Sequence, residues 1–187
     1  MKHIAIFASG EGTNAENIIR NFLNRKDIGV TMVFSDQKNA GVLKRAAKLN
    51  IPVCVFGKHE LSETDEVLQL LKELKIDLIV LSGFLKLIPE KIIKEFKGRI
   101  INIHPALLPK YGGKGMYGMK VHQAVYDAKE KETGITIHHV NEKFDEGEII
   151  FQEKFSLDEN DSVEKILEKI RKLELVRYPK VIEKLLI

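Results

Sequence analysis

Asn102 and His104 lie two residues apart in INIHPALLPKYGG, Ile101 to Gly113, a run that begins like a buried strand and then offers an amide and an imidazole. Residues two apart on a strand share a face, so Asn102 and His104 point one way while Ile101 and Ile103 point the other. Two hydrogen-bonding side chains aimed together at a strand's carboxyl end can serve a reacting group; a histidine satisfied within the structure is the ordinary alternative. Pro105 stops the strand ladder and Pro109 stiffens the exit, fixing the loop after His104. A working imidazole needs a carboxylate to orient it and to hold its proton near neutral pH, since an adjacent negative charge raises a histidine's pKa. Asp145, in NEKFDEG, is the candidate, although an Asp-Glu-Gly run is by itself commonly a hairpin turn.

Two more stretches carry signals. In SGEGTN, Ser9 to Asn14, Gly10 and Gly12 let the backbone approach a ligand, while Thr13 and Asn14 supply a hydroxyl, an amide and helix-opening N–H groups suited to a phosphate. The full GxGxxG pattern is absent and no Walker lysine follows, so a glycine turn with a Thr or Asn helix cap stands equally open. Glu11 must point away if an anion binds there. In SGFLKLIP, Ser82 to Pro89, Gly83 permits tight passage, and Phe84, Leu85, Leu87 and Ile88 either wall a site for a flat ligand or plug the core beneath a helix. On the residues alone the core plug is favoured. His138 and His139 alternate faces in TIHHV, and His3, His59 and His122 lack Cys, Asp or Glu at ligand spacing, so no metal site is expected. No Gly-x-Ser-x-Gly elbow supports a serine hydrolase.

The elements that must position these groups follow from hydrophobic pattern. Short apolar, β-branched runs, at 3–8, 30–35, 53–56, 78–82 and 99–104, read as strands. Between them, 15–25, 42–50, 64–75 and 89–96 carry apolar residues at three- and four-residue spacing and read as helices, the last opened by Pro89 at a first helical position. After His104 the glycine-rich KYGGKGMYG leads to a helix at 120–128. The runs GITIHHV and EIIFQEKF, joined by NEKFDEG, then read as a strand pair added at the sheet edge. The terminal stretch 160–187 is helical, with Asp161 and Glu164 spaced as a capping box around Ser162 and with Pro179 breaking or kinking the run. The expected fold is α/β, a Rossmann-like open, mostly parallel twisted sheet with helices on both faces and an added strand pair at the carboxyl-terminal side. In such sheets ligands bind beyond the carboxyl ends of the strands, where these loops lie.

Composition narrows the classes. The chain has 187 residues, 44% of them hydrophobic, which is enough for one domain, 1–187, with its own core. Its 30 basic and 27 acidic residues interleave along the helices, and Trp is absent, so neither a nucleic-acid footprint nor stacking platforms are implied. Cys54, the single cysteine, sits in the apolar run VCVF and reads as a buried core thiol suited to a reducing cytosol. No apolar run approaches the ~20 residues of a membrane span, and the start lacks the pattern of an export signal, so a cytoplasmic protein is expected.

The chain resembles the glycinamide ribonucleotide formyltransferases of purine synthesis, within the wider group of formyltetrahydrofolate-using enzymes. The shared pattern runs through IAIFASGEGTN, VFSDQKNAGVLKRAAKLNIP, LIVLSGFLKLIP, INIHPALLPKYGG, GITIHHVNEKFDEGEIIFQ and ELVRYP, nearly the whole chain, with N-I-H-P and the downstream D-x-G as its most specific part. The resemblance implies transfer of the formyl group of 10-formyltetrahydrofolate, a co-substrate, to the amine of 5'-phosphoribosylglycinamide, with small-molecule partners only, no metal, and a monomer or homodimer. It implies Asn102, His104 and Asp145 as the catalytic trio; Gly12, Thr13 and Asn14 as the phosphate loop; and Gly83 and Glu174 against the ribose–glycinamide part. Leu85, Lys86, Leu87 and Ile88, with Asn141, Glu142, Lys143, Phe144 and Asp145, match the folate pocket, to which Asn102 also belongs. Ala106 stands where serine is frequent, Lys86 where arginine is frequent and Glu11 where a neutral or basic residue is usual; KGMYGMKVHQA is longer than in many relatives. On this reading the amine attacks directly, Asn102 and protonated His104 donate to the formyl oxyanion, and Asp145 keeps His104 charged.

Other readings on the same core remain at this point. A formyltetrahydrofolate hydrolase usually carries an amino-terminal regulatory domain, whereas this sequence begins at strand one. A methionyl-tRNA formyltransferase needs a further carboxyl-terminal domain. An amino-sugar-nucleotide N-formyltransferase has a similar core, against which Glu174 and the phosphate loop argue. From another class, a non-catalytic nucleotide-binding module would keep the fold, which an intact Asn102, His104 and Asp145 set speaks against.

Overall fold

The computed structural model describes residues 1–187. Seven strands, β1 (Lys2–Phe7), β2 (Ile28–Ser35), β3 (Val53–Val55), β4 (Leu78–Leu81), β5 (Ile100–His104), β6 (Glu132–His139) and β7 (Ile149–Ser156), form one sheet in the order β3-β2-β1-β4-β5-β6-β7. The first five are parallel; β6 runs antiparallel to both β5 and β7. Six α-helices accompany them: α1 (Thr13–Phe22), α2 (Gly41–Lys48), α3 (Glu66–Glu73), α4 (Glu90–Glu95), α5 (Met119–Asp127) and α6 (Val163–Leu186). This is the expected open α/β sheet with an added antiparallel pair.

Strand alternation divides the core into two layers. Ile4, Ile6, Val80, Ile101, Ile103, Ile135 and Ile137 pack against α1, α2 and α6, while Ala5, Phe7, Ile79, Leu81 and Ile100 pack against α3 and α4. Asn102 and His104 continue the Ile100 face past its apolar part, and Thr136 and His138 stand opposite them on β6. The chain order reverses between neighbours β1 and β4, so the loops after these two strands diverge and leave a crevice at their carboxyl ends.

Several local expectations are corrected. β3 is an edge strand of three residues, and Val53 and Val55 are exposed; Cys54 is half-buried against the α3–α4 layer instead of fully enclosed, and burial raises its thiol pKa. Pro89 is the N-cap of α4, with extended ψ, and not its first helical residue. Ser162 caps α6 by accepting from the Lys165 N–H at 3.3 Å. Glu164 is therefore one position early for a capping box.

Pro179 neither breaks nor ends α6, which runs unbroken for 24 residues. A proline removes the N–H that would bond the carbonyl four residues earlier, here Leu175. Asn17 of α1 supplies the missing donor, its Nδ2 reaching the Leu175 oxygen at 2.8 Å. The defect thus becomes a contact between the two helices nearest the β1 crevice.

Candidate active site

The loop after β1 is built for close approach. Gly12 has φ +74 in the left-handed region, and any Cβ there would run into Val42 of α2, whose own N–H bonds the Gly10 carbonyl at 3.1 Å. No side chain caps α1, so the expected alternative of a Thr or Asn cap is absent, and its first N–H groups stay available at the crevice. Asn14 keeps a buried amide oxygen without a partner. Glu11 stays on the cleft edge, its carboxylate 4.0 Å from Arg45 and its carbonyl accepting from Arg45 Nε at 2.8 Å. The neighbouring β4 loop is tied to this one by Ser9 N–H to the Gly83 carbonyl at 3.1 Å and Leu85 N–H to Ser9 Oγ at 3.1 Å.

A cleft of about 730 Å3 opens here, lined by Gly10–Asn14, Leu81–Ile88, Asn102–Pro105, Gly113–Gly118 and part of α6. The SGFLKLIP stretch divides its labour, which the core-plug reading did not anticipate. Phe84 and Ile88 are buried, Phe84 edge-on to Phe7, which stacks on Phe34 at 4.7 Å. Leu85 and Leu87 are 46% and 44% exposed and face the cleft. Lys86, Asn141, Lys143, Phe144 and Asp145 also line it; Glu142 does not, and its charge is felt instead by Lys94 of α4.

At the cleft floor the strand alternation delivers Asn102 and His104 side by side. The Asp145 carboxylate comes between them from the β6–β7 connection, its backbone in the left-handed region at φ +57. Oδ1 lies 3.4 Å from Asn102 Nδ2, while Oδ2 lies 3.5 Å from His104 Nδ1 and accepts from the Gly113 N–H at 3.0 Å. His104 Nε2 is 2.7 Å from the Tyr111 carbonyl, so the proton of a neutral ring sits on Nε2 and Nδ1 carries the lone pair. Burial lowers the His104 pKa below its ordinary value, against the opposing pull of Asp145 and the Tyr111 carbonyl, and His138 adds to the lowering. Against the expectation that Asp145 keeps His104 charged, desolvation outweighs the carboxylate and favours the neutral ring. Burial opposes ionisation of Asp145 most strongly, yet its surroundings, the Gly113 N–H and the His104 and His138 rings, together leave its pKa lowered.

Glu174 reaches the cleft from α6. Its residue is half-buried, but its carboxyl is sunk among protein atoms, and burial pushes its pKa to about 7 despite Arg171 nearby. One turn on, the buried Tyr178 hydroxyl bonds the β4–β5 backbone and fixes the helix that carries Glu174. Among the cleft residues to which the sequence reading gave no site role are His122, held down at about 4 mainly by burial, Arg171, and His138, 3.2 Å from Asn102 Nδ2. For His138 a signal existed. If GITIHHV pairs antiparallel with INIH, one of its two histidines must share the Asn102 face, and the register selects His138.

Residues 2–182 match the family model described as formyl transferase. A phosphoribosylglycinamide formyltransferase of Haemophilus influenzae is 38% identical over 98% of this chain and 86% of that protein. The chain belongs to the phosphoribosylglycinamide formyltransferase family. The chloroplastic enzyme of Arabidopsis thaliana is 37% identical over 97% of this chain, which spans 64% of that longer protein. The crystal structure of phosphoribosylglycinamide formyltransferase from Bacillus halodurans is 38% identical and superposes with a TM-score of 0.87 over 99% of this chain and 95% of that one. Phosphoribosylglycinamide formyltransferases transfer a formyl group in purine biosynthesis, and the wider formyltransferase family draws it from formyl folate.

Proposed function

We propose that the chain moves the formyl group of 10-formyltetrahydrofolate onto the primary amine of 5'-phosphoribosylglycinamide by direct attack, with no covalent enzyme intermediate. The observation that carries the reading is the convergence of Asn102, His104 and Asp145 between an uncapped helix start at Gly12–Asn14 and an exposed apolar wall at Leu85 and Leu87. The helix start suits a phosphate, with Gly12, Thr13 and Asn14 around it, and Gly83 and Glu174 suit the ribose–glycinamide part. The wall, with Ile88, Lys86, Asn141, Lys143 and Phe144, suits a flat pterin.

The neutral amine attacks the formyl carbon, and negative charge develops on the formyl oxygen. An N–H of Asn102 donates to that oxyanion, a contact of the kind worth ~100- to 1,000-fold in turnover. The attacking nitrogen loses a proton as the new C–N bond forms, and N10 gains one as its bond to the formyl carbon breaks. His104 takes the proton at Nδ1, directly or through water, and the imidazolium so formed faces the Asp145 carboxylate at 3.5 Å. The same proton then goes to N10, which leaves the ring neutral again.

The experiment is to incubate the protein with 10-formyltetrahydrofolate, with and without phosphoribosylglycinamide, and follow tetrahydrofolate release. Release that requires the amine, and that His104→Ala cuts by ~100-fold or more at saturating ligands, is expected. Release without the amine would mark a hydrolase, and unchanged turnover in His104→Ala would overturn the role given to His104.

A further inference from the structure

We infer that His138 is a positioning residue for the transfer reaction: its ring sets which way the Asn102 amide faces. The inference rests on the role given to Asn102 above.

The chain of contacts starts in the backbone. β6 pairs with β5 in unbroken register, so that His138 lies directly opposite Asn102. His138 Nδ1 is 2.8 Å from the His139 carbonyl, an oxygen that can only accept. Nδ1 must therefore carry a proton, and the neutral ring has its lone pair on Nε2. That lone pair faces Asn102 Nδ2 at 3.2 Å, with Asp145 Oδ1 3.5 Å from Nε2. Two acceptors, one on a ring whose tautomer is fixed by the backbone, thus confront the same amide edge. Only the NH2 end of Asn102 satisfies them; its Oδ1 there would meet two lone pairs.

The triangle also says what is left over. Nδ2 lies 3.2 Å from His138 Nε2 and 3.4 Å from Asp145 Oδ1, and the two acceptors are 3.5 Å apart. These near-equal sides make an angle at Nδ2 of about 60°, well short of the spread between two hydrogens on a planar amide nitrogen. One hydrogen directed between the acceptors can serve both, which leaves the second N–H for a developing oxyanion. His138 and Asp145 together hold a donor toward the reaction and keep the amide carbonyl turned from it.

Gly147 secures the far end of this chain. Any Cβ at Gly147 would run into the His139 carbonyl, so only glycine lets the β6–β7 connection close over the oxygen that fixes the His138 tautomer. The glycine of the D-x-G motif thereby joins its aspartate in a single arrangement around Asn102.

A double-mutant cycle tests the inference. His138→Leu should lower kcat about tenfold, the factor expected for one hydrogen bond, with KM for both substrates unchanged; His138→Gln, which offers an acceptor oxygen at similar reach, should recover most of it. In an Asn102→Ala background the same His138→Leu change should cost nothing more. A further tenfold loss there would show that His138 acts independently of Asn102 and overturn the inference. Unchanged turnover in Asn102→Ala alone would instead overturn the role of Asn102. A second measurement does not depend on any variant folding: nitrogen-15 NMR of histidine-labelled protein at neutral pH should find His138 protonated at Nδ1 and bare at Nε2. The opposite tautomer, or a ring protonated at both nitrogens, refutes it.

Discussion

The hydroxyl of Tyr178 lies 2.8 Å from the Leu81 carbonyl and 3.3 Å from that of Ile101, so one phenol in the second half of α6 grips the last residue of β4 and the second of β5. Both carbonyls are buried, and Glu174 stands one turn before the phenol. Tyr178→Phe keeps the ring and leaves those oxygens short of a donor. The expected cost is ~1–3 kcal/mol in denaturant unfolding, with KM for the phosphoribosyl substrate raised while KM for the folate is unchanged. Equal shifts in the two KM values would contradict this division of the cleft.

Glu174 gives the fold a distinctive pH response. Its folded pKa of about 7 exceeds its ordinary 4.5, so between these values the folded state holds a proton that the unfolded chain has released. Its contribution is fully present below pH 4.5 and is lost as pH rises through 7. His122, held down at about 4, acts oppositely, and stability through that group falls as pH drops below 6.5. Glu174→Gln isolates the first effect. Its melting temperature should match wild type near about pH 4 and exceed it near about pH 8; a constant difference across that range would show that the carboxyl is not buried as described.

His104 should titrate below its ordinary 6.5, because burial prevails over Asp145. Removing the carboxylate takes away a raising influence, so Asp145→Asn should move the titration further down. Proton NMR of the imidazole against pH measures both. A midpoint above 6.5 in the wild type would show that the carboxylate prevails over burial.

The Asn17 bond to the Leu175 oxygen should matter because Pro179 makes it matter. Asn17→Ala is expected to cost about 1 kcal/mol of unfolding free energy. In a Pro179→Ala background the helix regains its own donor for Leu175, and the Asn17 change should cost little. Additive losses would mean that the amide serves some other purpose.

Much of this was legible in the residues. Uninterrupted apolar runs alternating with helical periods point to a parallel sheet, and the two-residue spacing of Asn102 and His104 by itself places them on one face. Asp145 was reachable because a strand-end imidazole needs a carboxylate. His138 was legible only in part: antiparallel pairing puts one histidine of GITIHHV beside Asn102, but which one is a matter of register, a tertiary fact. Pro179 misled for a similar reason: local rules see the missing N–H, while its substitute comes from a helix more than a hundred residues away. The balance at His104 lay out of reach because a neighbouring carboxylate can be guessed from sequence, but the depth of burial opposing it cannot. Within SGFLKLIP, hydrophobicity alone could not separate Phe84 and Ile88, which anchor, from Leu85 and Leu87, which face ligand space.

That separation has a practical meaning. Phe84 is clamped into the ring cluster of Phe7, Phe34 and Phe56, and Ile88 is sunk beside α4, while the three residues between them touch little of the interior. The segment behaves as a cassette held by a peg at each end. Residues 85–87 are thus the place to graft new side chains when altering what the cleft accepts, since exchange there spares the pegs on which the rest of the architecture depends.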